Sequence, residues 1–214
     1  MIRSMTKIAL FGTSADPPTV GHQSIIEWLT GLYDYVAVWA SDNPFKQHQS
    51  ILSERQRMLA LLVQDSQQRH QQVGLRPELS HSKTLFTVQQ AQQLWPQAEL
   101  TLVVGSDVVT TLPHWYGVET LFQQVQLLIL HRPDAQLDPN ALIALQRLGA
   151  QFAIANFQGP PVSSSHYRHT GDINDVPPAI AAYIQQHHLY SWNVPHPHLD
   201  ESPQPLLLTT PPQP

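Results

Sequence analysis

The sequence predicts an α/β fold, a doubly wound parallel sheet of about five strands with helices on both faces. Three observations predict it. Short apolar runs of strand length alternate with longer segments of helical period along most of the chain. The strongest run, Leu100 to Val104, is rich in β-branched residues and ends at Gly105. The first run, Ile8 to Phe11, passes straight into a loop of small residues that ends where a helical pattern begins.

The elements follow in order. Ile8-Ala9-Leu10-Phe11 reads as a buried strand. Gly21 to Leu32 reads as a helix, with Ile25, Trp28, Leu29 and Leu32 on one face. Tyr35 to Ala40 is a second strand, and Glu54 to Gln67 a second helix with Met58, Leu59, Leu62 and Val63 inward. Val73-Gly74-Leu75 is a weaker strand, and Thr87 to Trp95 a helix stopped near Pro96. After Leu100 to Val104 come a strand at Gln126 to Leu130, a helix at Asn140 to Leu148, a strand at Phe152 to Ile154 and a helix at Pro178 to His187. Strands separated by helices form βαβ units with right-handed crossovers, a Rossmann-like arrangement.

Composition narrows the class. The 214 residues contain 42 % hydrophobic and only 13 % charged residues, with 25 glutamines making up much of the polar surface. That supports a real core and excludes a wholly disordered chain. A net charge of −5 argues against a nucleic-acid partner, which needs a basic face. With no cysteine there is no disulfide framework, thiolate nucleophile or Cys-based zinc site.

No stretch approaches the roughly 20 apolar residues of a membrane span, and no signal-like segment follows Met1 or Met5, either of which could be the start. The expectation is a cytoplasmic protein with no membrane partner; a homo-oligomer is left open. Residues 1–193 read as one domain. Residues 194–214 hold seven of the 19 prolines and read as a disordered, partly polyproline tail. His187-His188, His196 and His198 lack zinc spacing and read as surface residues.

Chemistry concentrates after the first strand, in Gly12-Thr13-Ser14-Ala15-Asp16-Pro17-Pro18-Thr19-Val20-Gly21-His22. Gly12, Thr13 and Ser14 allow close backbone approach and offer N–H and hydroxyl donors. The helix starting near Gly21 aims free N–H groups and a positive dipole end at the same space. The same residues also suit an ordinary βα loop with a Pro-Pro turn and a helix-capping Thr19. No Gly-Lys-Ser/Thr follows, so this is not a Walker A loop, and the third glycine of the dinucleotide fingerprint is missing.

Thr19-Val20-Gly21-His22 resembles the (H/T)xGH signature of the nucleotidyltransferase superfamily, and Gly12 to Pro17 its GGTFDP stretch. Val162-Ser163-Ser164-Ser165-His166-Tyr167-Arg168 resembles the ISSTxxR motif of its adenylyltransferases. Ser82 to Val88, Gly105-Ser106-Asp107, Leu112 to Tyr116, Glu119-Thr120-Leu121, His131-Arg132-Pro133 and Val176 to Tyr190 resemble blocks of the bacterial nicotinate-nucleotide adenylyltransferases. The resemblance spans about residues 6 to 192 and leaves the tail out. Ala15 stands where the family usually has Phe, Ser165 where it has Thr, and Thr19 where many relatives have His.

The resemblance implies transfer of AMP from ATP to nicotinate mononucleotide, giving deamido-NAD and pyrophosphate in NAD biosynthesis. It implies catalytic roles for His22, Thr19, Lys46 and Arg168, with His22 donating to the α-phosphate. ATP would be bound by Gly12, Thr13, Ser14, Gly21, His22, Gly105, Asp107, Ser163, Ser164, Ser165 and Arg168. The mononucleotide would be bound by Thr84, Leu85, Trp115 and Tyr116, with Trp115 on the pyridine ring and N–H groups near Leu85 and Tyr116 on the carboxylate. Mg²⁺ would arrive with ATP rather than in a protein metal site. The alternatives are a nicotinamide-mononucleotide adenylyltransferase and a catalytically degenerate nucleotide-binding regulator.

Overall fold

Alternating side chains on the strands decide the architecture. In the first strand, β1 (Lys7–Thr13), Ile8 and Leu10 point to one buried face while Ala9 and Phe11 point to the other. A strand buried on both faces needs a layer of helices on each side. In the computed structural model the described residues are 6–43, 46, 49–131, 137–155 and 157–190. The Pro-rich segment 194–214 with His196 and His198, both candidate start residues, Pro44, Phe45, Arg132 and Pro133 lie outside them.

Helix α1 (Val20–Thr30) follows β1, and β2 (Tyr35–Ala40), α2 (Leu52–Arg69) and β3 (Val73–Leu75) complete the first half. Helix α3 (Thr84–Leu94) crosses to the second half: β4 (Glu99–Gly105), α4 (Val118–Phe122), β5 (Gln126–Leu130), α5 (Pro139–Arg147) and β6 (Phe152–Ala155). Helices α6 (Ser164–Thr170) and α7 (Pro178–Gln186) close the described fold. The sheet has six strands in the order β3-β2-β1-β4-β5-β6, every pairing parallel.

Six strands replace the expected five because Val73–Leu75, only three residues long, does pair with Val36 to Val38. Gly74 permits that pairing, since a side chain there would collide with the Tyr35 hydroxyl. Helices α2 and α3 begin earlier than expected, and α4 is too short to show a helical period. Helices α3, α4 and α5 pack on the Ile8–Leu10–Trp39–Leu102 face. Helices α1, α2, α6 and α7 pack on the Ala9–Phe11–Val38–Val103 face. The core is thus two apolar layers separated by the sheet. Among the described residues no helix is long and apolar enough to cross a membrane.

Candidate functional site

Pairing between β1 and β4 stops at Leu10 and Leu102, yet both strands run on, to Thr13 and Gly105. A crevice therefore opens at their carboxyl ends, where the strand order reverses, the usual ligand position in such sheets. Gly12 sits beside it. A Cβ at Gly12 would lie 2.5 Å from the Trp39 indole, so only glycine lets β1 approach β2 here.

The loop after β1 is held from inside. Asp16 is buried, and its carboxylate accepts from the Gln49 N–H at 2.8 Å, the Ser50 N–H at 3.3 Å, the Ser50 hydroxyl and the Tyr190 hydroxyl at 2.6 Å. Burial alone would raise the Asp16 pKa. The donors from Ser50, Tyr190 and Gln49, with the nearby Arg168 charge, outweigh burial and hold it below the usual carboxylate value. Burial, with the Asp16 hydrogen bond, pushes the Tyr190 phenol far up. The preceding Ala15 has φ +49°, a left-handed conformation that a residue with a Cβ rarely adopts.

Arg55 reaches the same loop from α2. It is 2 % exposed, and its guanidinium donates to the Ser14 carbonyl at 2.9 Å and the Ser41 carbonyl at 2.8 Å. It thereby ties the loop after β1 to the segment after β2. Burial lowers its pKa, opposed chiefly by the charge of Asp16, yet a guanidinium stays cationic. The motif search passes over Arg55. Its signal was a charge on the inward stripe of α2, in helical step with Met58, Leu59 and Leu62.

Helix α1 opens on Thr19, which is buried. The Thr19 backbone N–H donates to His22 Nδ1 at 3.1 Å, and the Thr19 hydroxyl lies 2.8 Å from the same nitrogen. A backbone N–H can only donate, so Nδ1 accepts and the neutral ring carries its proton on Nε2. The capping geometry thus fixes both the tautomer and the orientation of His22. Gly21 packs closely, since a Cβ there would lie 3.1 Å from a Val162 methyl just before α6.

The second serine-rich turn seats directly on the first loop. The Ser164 hydroxyl donates to the Pro17 carbonyl at 2.7 Å, and the Arg168 guanidinium donates to the Asp16 carbonyl at 2.6 Å. The three hydroxyls expected to face phosphate are already engaged. Ser163 accepts the His166 N–H as the cap of α6, Ser164 holds Pro17, and Ser165 accepts from Arg168 at 3.2 Å. In these bonds Ser163 and Ser165 only accept and keep their O–H donors, Ser164 gives its proton to Pro17, and Arg168 keeps N–H donors beyond these two bonds.

The other expected residues spread around the rim. Thr13 and Ser14 stand at the end of β1. Lys46 is exposed on the segment after β2, whose Gln49 and Ser50 are anchored to Asp16. Gly105 ends β4, and Asp107 is exposed in the single turn of 3₁₀ helix at 106–108. Asp107 does not cap that turn, which starts at Gly105 without a side-chain cap. Thr84 and Leu85 begin α3, with Leu85 buried. Trp115 is half-buried against the core, and Tyr116 is 55 % exposed. Gly117 has φ +62°, and a Cβ on it would meet Leu85, so the chain after Tyr116 is pressed onto the first turn of α3.

Among the described residues no group of three His, Asp or Glu is placed to hold a metal ion. His187 instead stacks on Tyr183, with ring centroids 4.1 Å apart. The loop after β1 thus gathers a helix N-terminus, an oriented imidazole donor and a guanidinium, and the segment after β4 carries the exposed ring of Tyr116.

Comparison with known proteins gives the family and the fold. Residues 10–170 match the cytidylyltransferase-like family. A probable nicotinate-nucleotide adenylyltransferase of Synechocystis is 43 % identical over 198 residues, covering 86 % of this chain and 98 % of that protein. One from Gemmatimonas aurantiaca is 32 % identical over 201 residues, covering 86 % and 92 %. A Plasmodium falciparum nicotinic acid mononucleotide adenylyltransferase, solved in complex with NaAD, superposes with a TM-score of 0.72 at 20 % identity. It covers 88 % of this chain and 98 % of its own and attests the fold.

Proposed function

This chain belongs to the cytidylyltransferase-like family, and within it to the nicotinate- and nicotinamide-nucleotide adenylyltransferases, and we propose that it transfers AMP from ATP to nicotinate mononucleotide. The products are deamido-NAD and pyrophosphate. The mononucleotide phosphate attacks the ATP α-phosphorus in line, one P–O bond forms, and the bond to pyrophosphate breaks. Such chemistry asks the protein for positioning and charge stabilisation rather than covalent help.

One observation carries the reading. The Arg168 guanidinium and the Ser164 hydroxyl are bonded to the carbonyls of Asp16 and Pro17, so two phosphate-binding turns far apart in sequence form one wall. In this reading Nε2–H of His22 donates to the α-phosphate oxygen as charge builds there. Thr19 sets that tautomer through its backbone N–H and its hydroxyl, and the α1 N-terminus adds N–H donors.

Gly12, Thr13, Ser14 and Gly21 let the triphosphate lie close to the backbone. Arg168 and Lys46 take the β- and γ-phosphates and the departing pyrophosphate. Asp107 and Gly105 face the adenosine. Thr84, Leu85, Trp115 and Tyr116 receive the pyridine nucleotide. The substrate is ATP with its Mg²⁺, carried on phosphate oxygens and water.

The test is pyrophosphate release from ATP by the full chain, with nicotinate mononucleotide and nicotinamide mononucleotide supplied separately. Release with the acid and little with the amide is expected. Release with neither would end the reading.

A further inference from the structure

At the start of α3, one cation stands in a setting that the reaction itself does not explain. Lys83 directly precedes α3. Its ammonium lies 4.1 Å from the centroid of the Tyr116 ring and 6.0 Å from that of Phe86. The two rings lie 5.7 Å apart, and both are exposed.

The segment around Lys83 is anchored at several points. The Ser80 hydroxyl donates to the carbonyl of Ala40, the last residue of β2, at 2.8 Å. The Lys83 N–H donates to His81 Nδ1 at 3.0 Å, and the His81 ring meets Phe86 edge-on at 4.9 Å. These bonds hold the lysine at the carboxyl end of the sheet, the end that carries the crevice. Among the described residues no carboxylate lies within ion-pair distance of Lys83, so no protein anion there neutralises its charge.

We propose that Lys83 is a specificity-determining residue, whose ammonium selects a mononucleotide bearing a carboxylate on its aromatic ring over one bearing the neutral carboxamide. This rests on the functional reading above, in which the pyridine ring binds beside Tyr116. The two candidate substrates share ring, ribose and phosphate and differ by one negative charge. A backbone N–H donates to a carboxylate oxygen or an amide oxygen alike, so it discriminates weakly. A nearby ammonium adds a Coulomb attraction that only the acid feels.

Lys83 is therefore the side chain whose charge turns a pyridine-binding rim into an acid-selective one. Its pairing with Tyr116 keeps it beside the ring, with no competing carboxylate among the described residues.

The test measures kcat/KM for both mononucleotides with the full chain at saturating ATP, for wild type, Lys83→Met and Lys83→Arg. In Lys83→Met the acid-to-amide ratio is expected to fall about tenfold, through a raised KM for the acid. Lys83→Arg should recover most of the ratio. In wild type, raising ionic strength from about 0.05 M to about 0.5 M should shrink the same ratio by screening.

An unchanged ratio in Lys83→Met overturns the proposal, as does a wild type that prefers the amide. If Lys83→Met fails to fold, the wild-type salt series decides, and a ratio flat with salt overturns the proposal. A wild type that turns over neither substrate overturns the functional reading and this inference together.

Discussion

The Tyr190 hydroxyl donates to Asp16 Oδ1 at 2.6 Å across 174 residues of sequence, closing the far end of the fold onto the loop after β1. The same phenol oxygen lies 2.8 Å from the Ser50 hydroxyl, so three elements share one buried carboxylate. Removing the phenol in Tyr190→Phe leaves Asp16 short of a donor. The expected loss is about 1–3 kcal/mol of stability, read from denaturant unfolding, together with a higher KM for ATP as the loop loosens.

Asp16 also makes stability depend on pH. Its folded pKa lies below the usual value, so its contribution is fully present above about pH 3.9, the unfolded value, and is lost as pH falls through the lower folded value. In Asp16→Asn that acid-side slope should flatten. Unfolding curves collected between pH 2 and 6 check it, and an unaltered slope would assign the acid transition to other carboxylates.

His22→Ala should lower kcat by about 10²–10³, with the KM for ATP changing little. The ring is oriented by Thr19 and belongs to neither apolar core layer, so a stability loss of comparable weight is not expected. Steady-state pyrophosphate release and thermal unfolding on the same preparation separate the two effects. Wild-type turnover in the variant would remove His22 from the reacting phosphate.

Arg168→Ala should chiefly raise the KM for ATP. Because Arg168 also holds the Asp16 carbonyl at 2.6 Å, Arg168→Lys is expected to recover only part of the loss. An ammonium supplies the charge but not the planar set of donors. ATP titration of both variants distinguishes the two contributions.

Arg55→Met should be the most destabilising of these changes, by about 2–4 kcal/mol. It leaves the Ser14 and Ser41 carbonyls without their shared donor. Denaturant unfolding gives the loss, and the KM for ATP should rise as the loop after β1 moves.

What could be read from the chain without coordinates was whatever is local. Apolar runs marked a sheet of about five strands, with Val73–Leu75 the weak run that added the sixth, and the Thr19–His22 spacing of one helical turn is enough to bring those two side chains together. The serine-rich turn at 163–165 was recognisable as a phosphate-type motif. Which partners its hydroxyls take was not legible: Ser163 accepts as the cap of α6, Ser164 donates to Pro17 and Ser165 accepts from Arg168, because those contacts depend on what packs against the turn.

The seating of α6 on the loop after β1, the burial of Arg55 between two loops and the closure by Tyr190 were decided only in three dimensions. Each joins groups from 14 to 174 residues apart, and no periodicity encodes such a pairing. The parallel sheet supplies it, by bringing the carboxyl ends of distant strands to one edge where backbone carbonyls and a buried carboxylate need donors.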